Sequence, residues 1–313
     1  MKAAVLGDYD SLDGLVIDDR PVPTPGDDQI LVKVAAASVN PVDWKVRDGM
    51  LRAGMKLALP LILGGDIAGV VTDRGRTAQD FEIGQAVHAM TDTSFRYAHG
   101  AFAQYVAVRS AQAAHKPATL DMAEAAAVPL AALTAWQALF DEGGLRAGQR
   151  VLIHAAAGGV GGFAVQFARI AGAHVIGTAS AANADYVRAL GAQEVIDYAA
   201  ALFEDRVRDV DLVIDLIGGE VQLRSLRVLR PGGMLVNGWG ALAEAEARAA
   251  GVKARKVAVR PDGDQLGQID AMIDAGQVSV ELAHRFPLTE IEQAFALSRR
   301  GHGRGKIVLE MPA

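Results

Sequence analysis

The sequence predicts an α/β protein of two domains, one β-rich and mostly antiparallel, the other a doubly wound parallel sheet. Three observations predict it. Residues 1 to about 117 carry short alternating runs broken by Pro, Gly and Asp. From about residue 120, apolar runs of some five residues alternate with helical patterns, the rhythm of βαβ units with right-handed crossovers. The densest glycine cluster of the chain lies between one such run and an amphipathic helix. A length of 313 residues suits two domains at roughly 100–200 residues each.

In the first part, strands are expected over residues 29–35 (QILVKVA), 67–72 (IAGVVT), 86–90 and 102–108 (FAQYVAV), with breaks at PVPTPGDD and DRGRTAQDFEIG. An Ala-rich helical stretch, AEAAAVPLAALTAWQALF, then leads into buried runs at 151–154, 175–178, 195–196, 212–217, 234–237 and 256–259. After Pro261, helical patterns around 266–275 and 290–299 are joined by short strands near 278–282 and 306–311. This tail suits either an extension of the parallel domain or a return to the first one.

Composition excludes several classes. The chain has no Cys, which removes disulfides, a thiolate nucleophile and every Cys-containing zinc site. A net charge of −6 with 5% aromatic residues argues against a nucleic-acid partner, which needs clustered cations and stacking rings. The opening MKAAVLGDYDSLDG lacks the apolar core of a signal peptide, and no apolar run is long enough for a membrane span. A soluble, cytoplasmic enzyme without a membrane partner is the expectation.

The glycine cluster is RVLIHAAAGGVGGFAVQFARIAGA at residues 150–173. An apolar strand enters a turn, and Val160, Phe163, Ala164, Phe167, Ala168 and Ala171 follow on one helical face. That strand–turn–helix context gives the pattern its meaning. Set against G-x-G-x-x-G, it offers Ala156, Gly158 and Gly161, and the helix start at Gly159 and Val160 presents amides and a partial positive charge to a pyrophosphate. The next apolar run ends VIGTASAAN, with Ala179 where a carboxylate would hold the ribose of NAD. Its absence favours NADP(H), with Ser180 and Asn183 as donors to the 2′-phosphate. Asn237 and Gly238 stand at the carboxyl end of another run, where ligands of open parallel sheets bind.

Taken together, the motifs resemble the medium-chain dehydrogenase/reductase superfamily, in its zinc-independent quinone oxidoreductase and enone reductase branch. The matching stretches are ASVNPVDWK (37–45), LGGDIAGVV (63–71), FEIGQAV (81–87), GAFAQYV (100–106), AVPLAALTAWQAL (127–139), the glycine loop and GRGKIVL (303–309). The resemblance implies a GroES-like catalytic domain at 1–118, a Rossmann domain at 119–261 and a return of 262–313 to the catalytic domain. It implies that Gly65 stands where zinc-dependent relatives have a His ligand, so no metal ligands are expected. The seven His are read as structural or solvated.

The resemblance further implies that Asn40 and Lys45 face the acceptor and that Thr134 lies near the nicotinamide carboxamide. Arg304 and Lys306, in the Gly-rich tail, are candidate phosphate partners. Residues 49–60 and 91–100 are expected to border the substrate pocket. The function implied is metal-free, NADPH-dependent hydride transfer to quinones or α,β-unsaturated carbonyls, by a homodimer. An enoyl-thioester reductase and a non-catalytic, crystallin-like NADPH-binding protein are the alternatives.

Overall fold

A computed structural model describes residues 1–8, 14–52, 57–91, 100–301 and 303–312. The chain divides into two compact units, Met1–Leu130 with Arg260–Ala313, and Ala131–Val259.

The first unit opens with β1 (Lys2–Leu6), β2 (Leu15–Asp19) and the long β3 (Gln29–Val39), which runs into α1 (Pro41–Arg47). Then come β4 (Leu61–Ile62), β5 (Asp66–Arg74), β6 (Ala86–Met90), β7 (Tyr105–Arg109), β8 (Ala113–His115) and α2 (Met122–Ala126), and α3 (Pro129–Trp136) carries the chain across the division into the second unit. In the second unit β9 (Arg150–Ile153), α4 (Gly159–Ile170), β10 (His174–Ala179), α5 (Ala184–Leu190) and β11 (Glu194–Asp197) form the first half. β12 (Val210–Asp215), α6 (Glu220–Ser225), β13 (Leu229–Asn237), α7 (Glu244–Ala249) and β14 (Lys253–Lys256) form the second. The chain returns through α8 (Gly263–Asp274), β15 (Leu282–Pro287), α9 (Ile291–Arg300) and β16 (Lys306–Glu310).

The larger sheet of the first unit runs β15-β16-β3-β5-β6-β8, with β7 also on β3, and only β15 pairs in parallel. A small antiparallel sheet, β2-β1-β4, accompanies it. Backbone pairing therefore brings the tail back to this unit, with Ile307 opposite Val39 and Leu309 opposite Ala37. The core beneath joins Ile30 of β3, Leu61 of β4 and Phe102, just ahead of β7, to Phe295 of α9, all 1% exposed or less.

The second unit holds six strands in the order β11-β10-β9-β12-β13-β14, all parallel. Counted from β9, this is 3-2-1-4-5-6, the doubly wound order of dinucleotide-binding domains. The crossover puts the mouth of β9 at the point where ligands of such sheets bind.

Residues 119–130 pack with the first unit. Asp121 and Glu124 cap α2 reciprocally, and its Ala123, Ala125 and Ala126 lie against Ala36, Ala68 and Val308 of the sheet. The change of sequence rhythm at 119 thus marks a helix laid on the first sheet. Two strands lie elsewhere than the apolar runs suggest. β14 is Lys253–Lys256, ahead of the run at 256–259, and β15 is Leu282–Pro287, beyond 278–282. Both are sheet edges with mostly exposed or half-exposed residues, which need no apolar signal. The run at 234–236 belongs to β13, paired on both sides, so it offers no free edge to a second copy.

Candidate active site

β3 delivers Asn40 at its end, where α1 begins. The Asn40 amide donates to Asp43 Oδ2 at 2.7 Å, and Pro41 supplies the first helical residue, whose missing N–H costs nothing there. The Asn40 carboxamide points elsewhere. Its Nδ2 donates to Asp66 Oδ2 at 2.8 Å, and its Oδ1 accepts from Lys306 Nζ at 2.5 Å. Strand register explains the meeting: Ser38 pairs directly with Asp66 of β5, and Lys306 of β16 falls one step beyond the Ile307–Val39 pair.

Asp66 is fully engaged. Its Oδ2 also accepts from Ser38 Oγ at 2.6 Å, and its Oδ1 accepts from the Leu130 amide at 2.7 Å. Lys306 Nζ stands 3.8 Å from the same carboxylate and 3.4 Å from the Val39 carbonyl. Ser38, Asn40, Asp43, Asp66 and Lys306 are all buried. Burial pushes the Asp43 carboxyl up to about 7; Asp66 adds to that shift, while Lys306 and the Asn40 and Gly64 amides oppose it.

Lys45 follows on α1. Its ammonium lies 5.3 Å from the centroid of the Trp44 ring, and partial burial lowers it to about 8. The other face of this region is tied down, since Trp44 Nε1 donates to Ser298 and Arg47 pairs with Glu292, both on α9.

In the second unit β9 ends at Ile153 and a turn carries the chain to Gly158, the N-cap of α4. Ala155 takes a φ of 51° in this turn, a left-handed conformation unusual for a residue with a Cβ. The Gly162 amide bonds back to Gly158, so the amides of Gly159, Val160 and Gly161 have no carbonyl within the helix. The Ala156 amide bonds to the Thr178 carbonyl, which ties the turn to β10.

Behind the turn His154 is buried. Ser225 Oγ spends its hydrogen on the Val221 carbonyl, so His154 Nε2 is the donor to Ser225 at 2.9 Å and its Nδ1 accepts from Thr178 Oγ1 at 3.1 Å. Burial drives its pKa down to about 4, leaving it neutral.

Ala179 closes β10, and Asn183 Nδ2 donates to Ser180 Oγ at 3.3 Å just beyond it. Asn237 is fully buried at the end of β13, its Nδ2 on Asp215 Oδ2 at 3.2 Å and its Oδ1 without a partner among the described residues. The Gly238 amide donates to the Asp215 carbonyl. Thr134 is buried within α3.

Arg304 and Lys306 both have carboxylate neighbours inside the first unit. Arg304 pairs with Glu281 at 2.7 Å, and Lys306 is held by Asn40 and Asp66, so a phosphate on Lys306 would have to displace buried bonds. Parts of the two expected pocket borders, residues 53–56 and 92–99, lie outside the described residues, as do His99 and His302. The remaining His pack or pair: His88 with Asp270, His174 with Glu194, and the His115 and His284 rings against Phe81 and Phe286.

Sequence reasoning passed over Ser38, and it noted Asp66 only for the residue missing beside it. A signal existed in Asp66 and Lys306, each a charge at the first position of an apolar strand.

The fold and these two sites define a nicotinamide-dependent oxidoreductase with a small-molecule substrate. The chain belongs to the medium-chain dehydrogenase/reductase superfamily, in its quinone oxidoreductase and enone reductase-like branch. Residues 26–118 match the alcohol dehydrogenase GroES-like domain, and residues 190–309 match the family described as zinc-binding dehydrogenase. The NADPH-dependent alkenal/one oxidoreductase, chloroplastic, of Arabidopsis thaliana is 35% identical over 99% of this chain and 79% of its own length. The mitochondrial NAD(P)H oxidoreductase RTN4IP1 of Mus musculus is 32% identical over 90% of this chain and 82% of its own. The structure of the quinone oxidoreductase from Coxiella burnetii superposes with a TM-score of 0.91 at 32% identity, covering 100% of this chain and 99% of that one.

One expectation is corrected. Relatives named as mitochondrial or chloroplastic overturn a plainly cytoplasmic placement, because a fold of this kind works in several compartments. Among the described residues no helix is long and apolar enough to cross a membrane.

Proposed function

We propose that this chain is a metal-free, NADPH-dependent reductase of quinones or α,β-unsaturated carbonyl compounds. The observation that carries the reading is the turn at Gly158–Gly161, which, among the described residues, leaves three backbone amides without a carbonyl partner in the helix at the mouth of a doubly wound sheet. Those amides would hold the pyrophosphate. Ser180 and Asn183 would serve the 2′-phosphate, which Ala179 admits because it brings no repelling carboxylate. Thr134, Asn237 and Gly238 would serve the nicotinamide side. The bound cofactor supplies a hydride.

The residues on the acceptor side do not fit a catalytic zinc. Gly65 offers no donor, the chain has no Cys, and both oxygens of Asp66 are occupied. Among the described residues no cluster of three His, Asp or Glu could hold a metal ion. The Asn40 N–H and the Lys45 ammonium instead would receive the negative charge that gathers on the acceptor oxygen, and Lys45 is able to give that oxygen a proton. Conjugated acceptors suit such donors, because their charge is spread before protonation. The relatives named for quinones and for alkenals or enones support the same substrate class.

The test is NADPH consumption with a panel of 1,4-quinones, short enones and enoyl-thioesters, run beside NADH. Turnover of the first two classes with NADPH preferred is the expected result. Tight NADPH binding without oxidation by any acceptor would favour a binding protein, and turnover confined to thioesters would move the assignment to an enoyl-thioester reductase. We further propose a homodimer, checked by light scattering of the purified chain.

A further inference from the structure

We propose that Lys306 and Asp66 form a buried positioning pair that fixes the Asn40 carboxamide so that it serves the acceptor as a hydrogen-bond donor and never as an acceptor. The inference rests on the reading of Asn40 as a substrate-facing group.

The argument is a count of bonds. A carboxamide has two N–H donors and one carbonyl oxygen. The oxygen of Asn40 is taken by the Lys306 ammonium at 2.5 Å, and one N–H by the Asp66 carboxylate at 2.8 Å. Turning the amide over would set its oxygen against a carboxylate and its NH2 against an ammonium. Two neighbours of opposite charge therefore permit a single orientation, which one neutral neighbour would not enforce. What is left on Asn40, among the described residues, is the second Nδ2 hydrogen. A group that can only donate suits an oxygen on which negative charge develops.

The pair is itself held from β3 and the start of α3. Ser38 Oγ and the Leu130 amide fill the rest of Asp66, and the Val39 carbonyl lies 3.4 Å from Lys306 Nζ. Lys306 is 6% exposed and Asp66 is fully buried. Burial pushes the Lys306 ammonium below its ordinary pKa, and the neighbouring Asp66 and Asp43 oppose that shift without cancelling it. The arrangement turns a lysine from a surface cation into an internal fixture.

The experiment compares the full chain with Lys306→Met, Asn40→Ala and the double variant. Two readouts are used. The side-chain amide signals of Asn40, identified by their loss in Asn40→Ala, are followed by NMR for exchange with solvent. Turnover of a 1,4-quinone or a short enone with NADPH is measured in parallel. In Lys306→Met, amide exchange is expected to quicken about tenfold or more, and kcat to fall about tenfold with KM and the NADPH dissociation constant within about twofold. The double variant is expected to lose no more than Asn40→Ala alone, because Lys306 acts only through that residue.

Unchanged exchange of the Asn40 amide in Lys306→Met overturns the proposal, as do losses that multiply in the double variant. If the single variant does not fold, Asp66→Asn with Lys306→Met leaves no buried charge unpaired and carries the same test. A wild-type chain that binds NADPH but reduces no acceptor defeats the proposed function, while amide exchange still decides the positioning.

Discussion

A methyl group added to Gly161 would stand 2.2 Å from the carbonyl oxygen of Ala155, and 2.8 Å from the Cα of Ala156. Both obstacles are backbone, in a turn already carrying a left-handed Ala155, so neither can rotate away. Gly161→Ala is expected to weaken NADPH binding about tenfold or more. Gly162→Ala is the comparison, since its methyl would meet Leu190 and Tyr186 at an ordinary 3.5 Å. Titration of both variants with NADPH, followed by fluorescence, checks the contrast. Equal affinities would dismiss the close approach as the reason for this glycine.

Asp43 makes stability depend on pH in an unusual direction. Its folded pKa of about 7 lies above the ordinary 3.8, so the native state holds a proton that the unfolded chain has released. The stability tied to that proton is fully present below 3.8, is lost as pH rises from there through about 7, and is gone above it. Asp43→Asn is expected to raise the melting temperature by several degrees near about pH 8 and hardly at all near about pH 4. Calorimetry at the two values decides it.

His154 works the other way. With a folded pKa of about 4 against 6.5, the unfolded chain takes up a proton that the folded one refuses, and stability falls as pH drops from 6.5 toward 4. Over that window it offsets much of the Asp43 effect. Ser225→Ala takes away the acceptor of the His154 Nε2 hydrogen and is expected to destabilise the second unit by about 1–3 kcal/mol. Urea unfolding at neutral pH measures it.

Lys45 is expected to print its own titration on the rate. If its ammonium is the proton source, kcat with an enone falls as pH rises through about 8. Lys45→Met is expected to lose about tenfold in kcat and to flatten that limb, while Lys45→Arg moves it beyond the accessible range. Full activity in Lys45→Met would remove the residue from the mechanism.

Much of this molecule was legible in the sequence, for identifiable reasons. β9, β10, β12 and β13 are interior strands covered on both faces, and such strands read as unbroken apolar runs. β14 and β15 are edges, with sequences KARK and LAHRFP that carry no such signal. The glycine turn was visible because its requirement is local, one backbone approaching another within six residues. The surroundings of Asn40 were not, because the partners of its carboxamide are chosen by the register of β16 and β5 on β3. A lysine in a Gly-rich tail looks alike whether it meets solvent or a buried carboxylate. Only the pairing of Ile307 with Val39 decides between the two.

Asn40 and Lys306 are separated by 266 residues, and the entire six-stranded parallel sheet is synthesised between them. During translation the nucleotide-side fold can therefore be complete while the acceptor side still lacks β16. The orientation of an early residue waits for the arrival of a late one. On the proposed reading, a nascent or prematurely terminated chain would acquire the dinucleotide turn without an ordered Asn40, which would separate capture of the reductant from the ability to spend it.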